Sequence, residues 1–383
     1  MSAITRLVAS ATATTRADLV RATGLARSTV TTHLDQLLDS SVVLEEAEQA
    51  RGVHRGRPAN SLALSSHAGF VMVVDMGIHR ARLAVADLSQ RLLSIEQVQI
   101  DPTSGPVPTL ALLGDVLMRM AAKVDRPLHE ARAVVVGLPA PVDVRRGMAV
   151  RPPIMPGWDE FPVAETMSAR FGCTTVVQND VNLMAVGEAR ALPAEQCPLL
   201  FIKVGTGIGG GLVSADGNLH LGADGAAGDI GHIRVPGAEP VVCACGNIGC
   251  IEAVASADAI LRQLSLPQAD PVVATAHVEQ LLRQGDADTV RLVREAAVVL
   301  GEVVATLVHF YNPSRVVLGG AITSASDHLL AGVRGVVYQR ALPLATRNLT
   351  LAHSVLGARA GIAGGVVIGV ELVLSPTGIR ALL

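Results

Sequence analysis

Gly228-Asp-Ile-Gly-His232-Ile and, further on, Cys243-Ala-Cys245-Gly-Asn-Ile-Gly-Cys250-Ile-Glu252 bring three thiols and one imidazole within nineteen residues. Three thiolates and a neutral imidazole at such spacing make a closed, four-ligand tetrahedral zinc site. The three cysteines fall within eight residues, and Gly246 and Gly249 supply the turns that let one loop wrap an ion. A disulfide is the alternative. It fits poorly, because the cluster holds an odd number of cysteines and nothing in the chain points to secretion. Inert buried thiols are a second alternative. With four protein ligands the expected zinc is structural and has no open position for a bound water. Asp229 and Glu252 lie close by in sequence, so the metal braces an imidazole beside carboxylates.

The rest of the composition narrows the function classes. A chain of 383 residues has room for two or three domains and a large core. Half of it is apolar, yet no run reaches the roughly 18 uncharged apolar residues of a membrane helix. The first residues lack a basic start, an apolar core and a small-residue cleavage site, so a cytoplasmic protein without membrane partners is expected. The net charge of −3 singles out no partner. Aromatic residues make up 2% of the chain, which argues against stacking on single-stranded nucleic acid as the main activity.

The first 66 residues read as a DNA-binding domain. Thr15-Arg-Ala-Asp18 suits a capping box at the start of a short helix, and Gly24 ends it. A second helix is expected from about Ala26 to Leu38, with Leu25, Val30, Leu34 and Leu37 inward. Its other face carries Arg27, Ser28, Thr29, Thr31, Thr32 and His33. Two short helices about a glycine turn, the second rich in polar donors, suit a helix-turn-helix reading the major groove. Val42-Val-Leu44 starts a strand and Ser61-Leu-Ala-Leu64 ends one. Between them, Arg51-Gly-Val-His-Arg55-Gly-Arg57-Pro58 suits a wing whose Arg55 and Arg57 enter a narrow minor groove. A helical domain with a merely solvated polar face is the alternative. One winged domain touches few bases, so a dimer on a two-fold operator is expected.

Residues 67–383 contain a repeated pattern. Phe70-Val-Met-Val-Val-Asp75-Met-Gly77 through Asp87 is an apolar run, a tight turn and a second apolar run, and Leu200 through Gly217 repeats it. Each copy leads into alternating helices and buried strands, near Pro108–Val124 and Ala133–Gly137 in one half and near Asp288–Tyr311 and Arg315–Leu318 in the other. Such alternation means α/β lobes with helices on both faces of mixed sheets and a ligand cleft between them. In the second copy, Gly205-Thr206-Gly207-Ile-Gly209-Gly210-Gly211 suits a loop whose backbone N–H groups cradle phosphate, with Thr206 adding a hydroxyl. Asp75-Met-Gly77 and Gly319-Gly320 stand at corresponding loops. The glycine run leads into a strand rather than a helix, so it is not a dinucleotide fingerprint.

Gln178-Asn179-Asp180-Val-Asn-Leu sits where a strand over Thr174–Val177 meets a helix. Asp180 suits a general base for a sugar hydroxyl, with Asn179 bonding a neighbouring hydroxyl. A plain helix N-cap is the alternative for this segment.

In this order, these pieces resemble the ROK family of repressors, open reading frames and kinases. The resemblance covers almost the whole chain, and the Cys-x-Cys-Gly-x-x-Gly-Cys-x-Glu run with its upstream Gly-His is its most specific part. It implies an N-terminal winged helix-turn-helix domain followed by a two-lobed α/β domain of the actin-like, sugar-kinase (ribonuclease H-like) kind. The expected limits are 1–66, 67–185 and 186–383, with a C-terminal helix placed to return to the first lobe. The resemblance also implies that Asn179, Asp180, Asp229, His232 and Glu252 meet sugar hydroxyls, that His232 does so while its other ring nitrogen binds zinc, and that Asp180 is the base in kinase members.

Three departures weigh against kinase chemistry. Kinases of the family read Asp-x-Gly-Gly-Thr where this chain has Asp75-Met-Gly77-Ile78-His79, which crowds ATP phosphates. Asp229 replaces a longer Glu. The usual Asn is absent from Arg151 to Trp158. The expectation is therefore a sugar-responsive transcriptional regulator, most simply a repressor, acting as a dimer or tetramer on double-stranded DNA. ATP and magnesium matter only if the alternative, a sugar kinase, holds.

Overall fold

The computed structural model describes residues 1–46, 61–238, 241–264 and 271–383. It begins with helix α1 (Ser2–Ala9), which buries Ile4, Thr5 and Val8 and has no counterpart in the expectation from sequence. Thr15 caps α2 (Arg16–Thr23) by accepting from the Asp18 N–H at 3.2 Å. Gly24, at φ 66°, ends that helix in the left-handed region. α3 (Arg27–Asp39) turns Val30, Leu34 and Leu37 inward. Leu25 departs from the expectation: it precedes the helix, escapes the helical spacing and is 40% exposed. β1 (Val43–Glu46) and β2 (Ser61–Leu64) then pair antiparallel as the stem of a hairpin. The wing residues Arg51, Arg55 and Arg57 lie outside the described residues.

Apolar strands build the first sheet. β3 (Phe70–Met76) is buried along its whole length, because both of its faces are covered. β4 (Arg80–Asp87) and β5 (Leu92–Gln99) continue it as an antiparallel meander. α4 (Pro106–Lys123) crosses to β6 (Ala131–Leu138), parallel to β3. After the small hairpin β7 (Val142–Asp143) and β8 (Met148–Ala149), α5 (Val163–Phe171) leads to β9 (Thr174–Asn179), parallel to β6. The order is β5-β4-β3-β6-β9. Trp158 lies wholly buried in this lobe and donates its indole N–H to the Pro102 carbonyl at 3.0 Å.

α6 (Asp180–Ala191) follows directly. The second sheet opens with the hairpin β10 (Leu199–Val204) and β11 (Ile208–Val213), matching β3 and β4. α7 (Ile251–Ala255), α8 (Ala257–Gln263), α9 (Pro271–Gln284) and α10 (Ala287–Tyr311) precede β12 (Arg315–Gly319), which runs parallel to β10. α11 (Ala321–Ala325), α12 (His328–Arg340) and α13 (Pro343–Thr346) lead to β13 (Thr350–His353), and α14 (Ala360–Val373) and α15 (Pro376–Leu382) end the chain. The order is β11-β10-β12-β13.

Two helices form the seam. α14 packs on β3 and β6, while α6 packs on α14 and also on β10 and β11. The helices approach so closely that a Cβ on Gly364 would lie 1.8 Å from the Leu183 carbonyl oxygen, and one on Gly187 would lie 2.2 Å from that of Ala360. The division expected at 185/186 falls inside α6, because this helix serves both sheets.

The N-terminal domain is joined to this seam. Ile4, Val8, Leu19, Val30, Leu34 and Leu37 share one hydrophobic cluster with Val71, Val73, Leu183, Val366, Val370 and Leu374. The Ser2 hydroxyl donates to the Leu374 carbonyl at 2.5 Å, Arg6 donates to the Glu371 carbonyl at 3.5 Å, and the Glu371 carboxylate pairs with Arg190 of α6. Among the described residues no single helix is long and apolar enough to cross a membrane. The segments of α14 and α15 pass that test only as a pair bent by 71°, and α14 is mostly buried against the first sheet.

Candidate interlobe site and metal centre

The strand-to-helix junction at Asn179 aims two side chains differently. Asn179 is the N-cap: its Oδ1 accepts from the Val181 and Asn182 N–H groups at 2.9 and 3.2 Å, and its amide donates to the Ala140 carbonyl at 3.0 Å. Asn179 thus serves as the helix cap, with one amide N–H bonded to the backbone. Asp180, the first helical residue, is buried and faces β10. Its Oδ1 accepts from the Val181 N–H at 2.9 Å, and its Oδ2 accepts from the Lys203 ammonium at 2.5 Å.

Asp75, at the end of β3, completes a buried ionic group. α14 makes room for it with Gly361, where a Cβ would sit 2.4 Å from the Asp75 Oδ2. Burial, reinforced by the charge of Asp180, pushes its pKa from 3.8 up to about 6. Burial disfavours the Lys203 ammonium, but Asp180, Asp75 and Glu252 together outweigh it and raise its pKa. Because the folded Asp75 holds its proton more tightly than the unfolded one, the contribution of this one group to stability is fully present below pH 3.8 and is lost as pH rises through about 6. Asp75→Asn is therefore expected to stabilise the protein at pH 7.5 by roughly 2–3 kcal/mol. The gain should vanish below about pH 4, and urea unfolding midpoints across pH 4–8 measure it.

Glu252, in the first turn of α7, reaches the turn between β10 and β11. Its Oε2 accepts from the Ile208 N–H at 3.0 Å, and burial raises its pKa against that hydrogen bond. A Cβ on Gly207 would lie 2.4 Å from the same oxygen. Gly205, Thr206 and Gly207 form this turn, and the Thr206 hydroxyl pairs with that of Thr275 at 2.8 Å. Gly209 and Gly210 depart from the loop expectation: they lie in β11, opposite Lys203 and Ile202. A Cβ on Gly209 would press Val181 of α6 at 2.8 Å, and one on Gly210 would press the Gly228 carbonyl at 2.9 Å. Their lack of a side chain serves helix and loop packing. Gly77 donates to the Arg80 carbonyl at 2.8 Å in the corresponding turn of the first lobe. Gly319 ends β12 against the Phe201 ring, and Gly320, at φ +99°, starts α11 beside a cavity of about 390 Å³ that Thr323, Ser326, Asp327 and His353 help to line.

The cysteine loop has the geometry of one ion site. The ligand atoms of His232, Cys243, Cys245 and Cys250 all lie within 4.8 Å of one another. His232 Nδ1 is 3.7 Å from Cys243 Sγ, and Cys245 Sγ is 3.8 Å from Cys250 Sγ. Zinc–sulfur bonds of about 2.3 Å at the tetrahedral angle place sulfurs about 3.8 Å apart, so donor set and spacing both fit zinc. All five cysteines are free, and 3.8 Å is far beyond a disulfide bond. Gly246 and Gly249 adopt φ of +88° and +77°, the turns that wrap the loop. The His232 Nε2 lies 4.0 Å from an Asp229 carboxylate oxygen.

On α3, Arg27, Ser28 and Thr32 are exposed and Thr29 and Thr31 half-buried. His33 turns partly inward, with Nδ1 buried and without a hydrogen-bond partner among the described residues. Two further groups were not singled out in the sequence. Lys203 is the one charge in the apolar strand β10, a signal that was present. Glu188, fully buried on α6, accepts from the Ser354 hydroxyl at 2.8 Å and the Val355 N–H at 2.6 Å, holding the segment that leads into α14. No local pattern marks it.

Two helices about the Gly24 turn, joined to an actin-like pair of lobes that carries a Cys₃His loop able to hold a metal, fit a class of transcriptional regulators whose lobes are shared with sugar kinases. The ROK family model matches residues 71–370, and the chain belongs to the ROK family. It is 24% identical over 378 residues to the DNA-binding transcriptional repressor Mlc of Escherichia coli, covering 96% of this chain and 91% of that protein. It is 28% identical over 306 residues to a glucokinase of Halalkalibacterium halodurans, covering 76% of this chain and 92% of the enzyme. A ROK family transcriptional regulator described as a homologue of E. coli Mlc shares the fold over 100% of this chain and 97% of its own, with a TM-score of 0.79 at 22% identity.

Proposed function

We propose that this protein is a sugar-responsive transcriptional repressor that binds an operator as a dimer or higher oligomer and releases it when a sugar or sugar phosphate enters the interlobe cleft. The observation that carries the reading is the shared core of the N-terminal domain and the α6–α14 seam. α6 begins at Asp180 in the cleft and carries Arg190 in its last turn, whose partner Glu371 also accepts from Arg6 of α1 through its backbone carbonyl. A change of lobe angle on ligand binding is thereby passed to the recognition helices. A tenfold loss of operator affinity needs about 1.4 kcal/mol of coupling, provided that ligand affinity differs between the bound and released states. Zinc, held by His232 and the three cysteines, would fix the imidazole ring by its Nδ1 and leave Nε2 for a sugar hydroxyl.

Titration of the protein onto labelled DNA from upstream of its own gene, followed by anisotropy, tests the reading. Binding that one sugar reverses supports it, and affinity unchanged across a broad panel of sugars and sugar phosphates sinks the sensing part. Arg57→Ala is expected to lower the slope of log affinity against log salt by about one unit if that side chain meets a phosphate. An unaltered slope removes the contact. The competing reading, an ATP-dependent sugar kinase, draws on the similarity to the glucokinase. It would rank first if ADP release with magnesium, ATP and hexoses exceeded that of Asp180→Asn.

A further inference from the structure

β10 reads Leu199-Leu-Phe-Ile-Lys203-Val204, a buried strand with a single charge. A lysine in such a strand carries a large desolvation cost unless it is paired. Its partner here is Asp180, at 2.5 Å. The other oxygen of that carboxylate accepts from the Val181 N–H at 2.9 Å. Each oxygen of Asp180 therefore already carries a donor, and the stronger of the two is a cation. A general base needs a lone pair directed at the proton it removes, about 2.6–3.2 Å from the reacting oxygen. A hydrogen-bond acceptor keeps its negative charge, whereas a base gives that charge up to the proton, and a paired ammonium favours the charged form.

We propose that Lys203 is a positioning residue that holds Asp180 as a charged acceptor and withholds it from proton abstraction, so that the cleft recognises a sugar hydroxyl without phosphorylating it. This rests on the reading of the cleft as a sugar site. Three features support the assignment. The pair joins β10 of the second sheet to the start of the seam helix α6. The negative charges of Asp75 and Glu252 also favour the ammonium form of Lys203. Lys203 pairs in register with Gly209, whose would-be Cβ would meet Val181 of α6 at 2.8 Å, so the residue that follows Asp180 packs on the β11 position paired with Lys203.

The test frees Asp180 in a chain whose first phosphate loop is also relieved of bulk, by Ile78→Gly and His79→Thr. In the reaction scored, the sugar hydroxyl oxygen bonds to the γ-phosphorus of ATP, the bond to the bridging oxygen breaks, ADP leaves, and Asp180 takes the hydroxyl proton. D-Glucose, D-mannose, N-acetyl-D-glucosamine and D-xylose are used with magnesium and ATP. The loop variant with Lys203 intact is expected to release ADP no faster than the same variant carrying Asp180→Asn. Adding Lys203→Met should raise ADP release at least tenfold above that blank, and Lys203→Arg, which keeps the ion pair, should return it to the blank. Lys203→Gln replaces the Met variant if the latter does not melt like its parent.

Turnover with Lys203 intact overturns the proposal. So does a folded Lys203→Met or Lys203→Gln variant that binds sugar and ATP by calorimetry yet stays at the blank. If none of the four sugars gives heat with any variant, the sugar-site reading itself fails and this inference falls with it.

Discussion

Gly364→Ala is expected to destabilise the protein by about 3 kcal/mol or more, at the upper end of overpacking effects. The added methyl would lie 1.8 Å from the Leu183 carbonyl oxygen and 2.9 Å from the Gly187 nitrogen, both backbone atoms of α6. A flexible side chain could turn aside, but a helix backbone cannot, so α6 and α14 must separate. Gly335, in the interior of α12, has nothing within 4 Å of its would-be Cβ and serves as the control. There, alanine should stabilise by about 0.5–1 kcal/mol through its lower unfolded-state entropy. Denaturant midpoints of the two variants measure the contrast. A cost below about 1 kcal/mol at Gly364 would mean that the seam yields more easily than its spacing implies. Because the seam also carries α1, the same variant should weaken operator binding before it unfolds the second sheet.

Cys245→Ser is the second large effect. It removes one of four ligands, and metal content is expected to fall from about one zinc per chain to none, as a structural site needs its full closed set. Zinc at a thousandfold excess over its dissociation constant stabilises the folded state by about 4 kcal/mol, and that contribution is lost with the site. Cys173→Ser, at a half-buried cysteine outside the cluster, should leave metal content unchanged. Unaltered zinc in Cys245→Ser would sink the metal assignment. Loss of zinc with a full ligand response would instead separate the metal from the recognition role given to His232.

Local chemistry made several elements legible in advance. The capping pair Thr15 and Asp18 and the stop at Gly24 placed α2, because both act within a few residues. The apolar runs around Asp75 and Lys203 appeared as strands for the same reason, and their tight glycine turns marked both hairpins. The cysteine cluster was legible because its ligands sit on one loop. Leu25 was misplaced, since spacing alone does not say where a helix begins. α1 was missed: its inward residues Ile4 and Val8 meet partners such as Leu374, which are hundreds of positions away in sequence.

The glycine run at 205–211 shows how one composition serves two purposes. At Gly207 the backbone of the turn approaches Glu252, whereas at Gly209 and Gly210 it must admit α6 and the loop at Gly228. Sequence pattern treats these positions alike, and only the packing separates them.

By itself, the sequence determined the order of parts: a helix-turn-helix, two α/β lobes with repeated hairpins, and a Cys₃His loop beside acidic residues. These follow from periodicity, turn chemistry and ligand spacing, all of which act over short stretches of chain. Tertiary structure alone decided which groups share a site. It set Lys203 on Asp180, buried Asp75 opposite them, and ran α6 from that cluster to the joint with α1. The physical reason is that a buried charge must find its counter-charge wherever the fold brings one, and no spacing rule along the chain records that pairing.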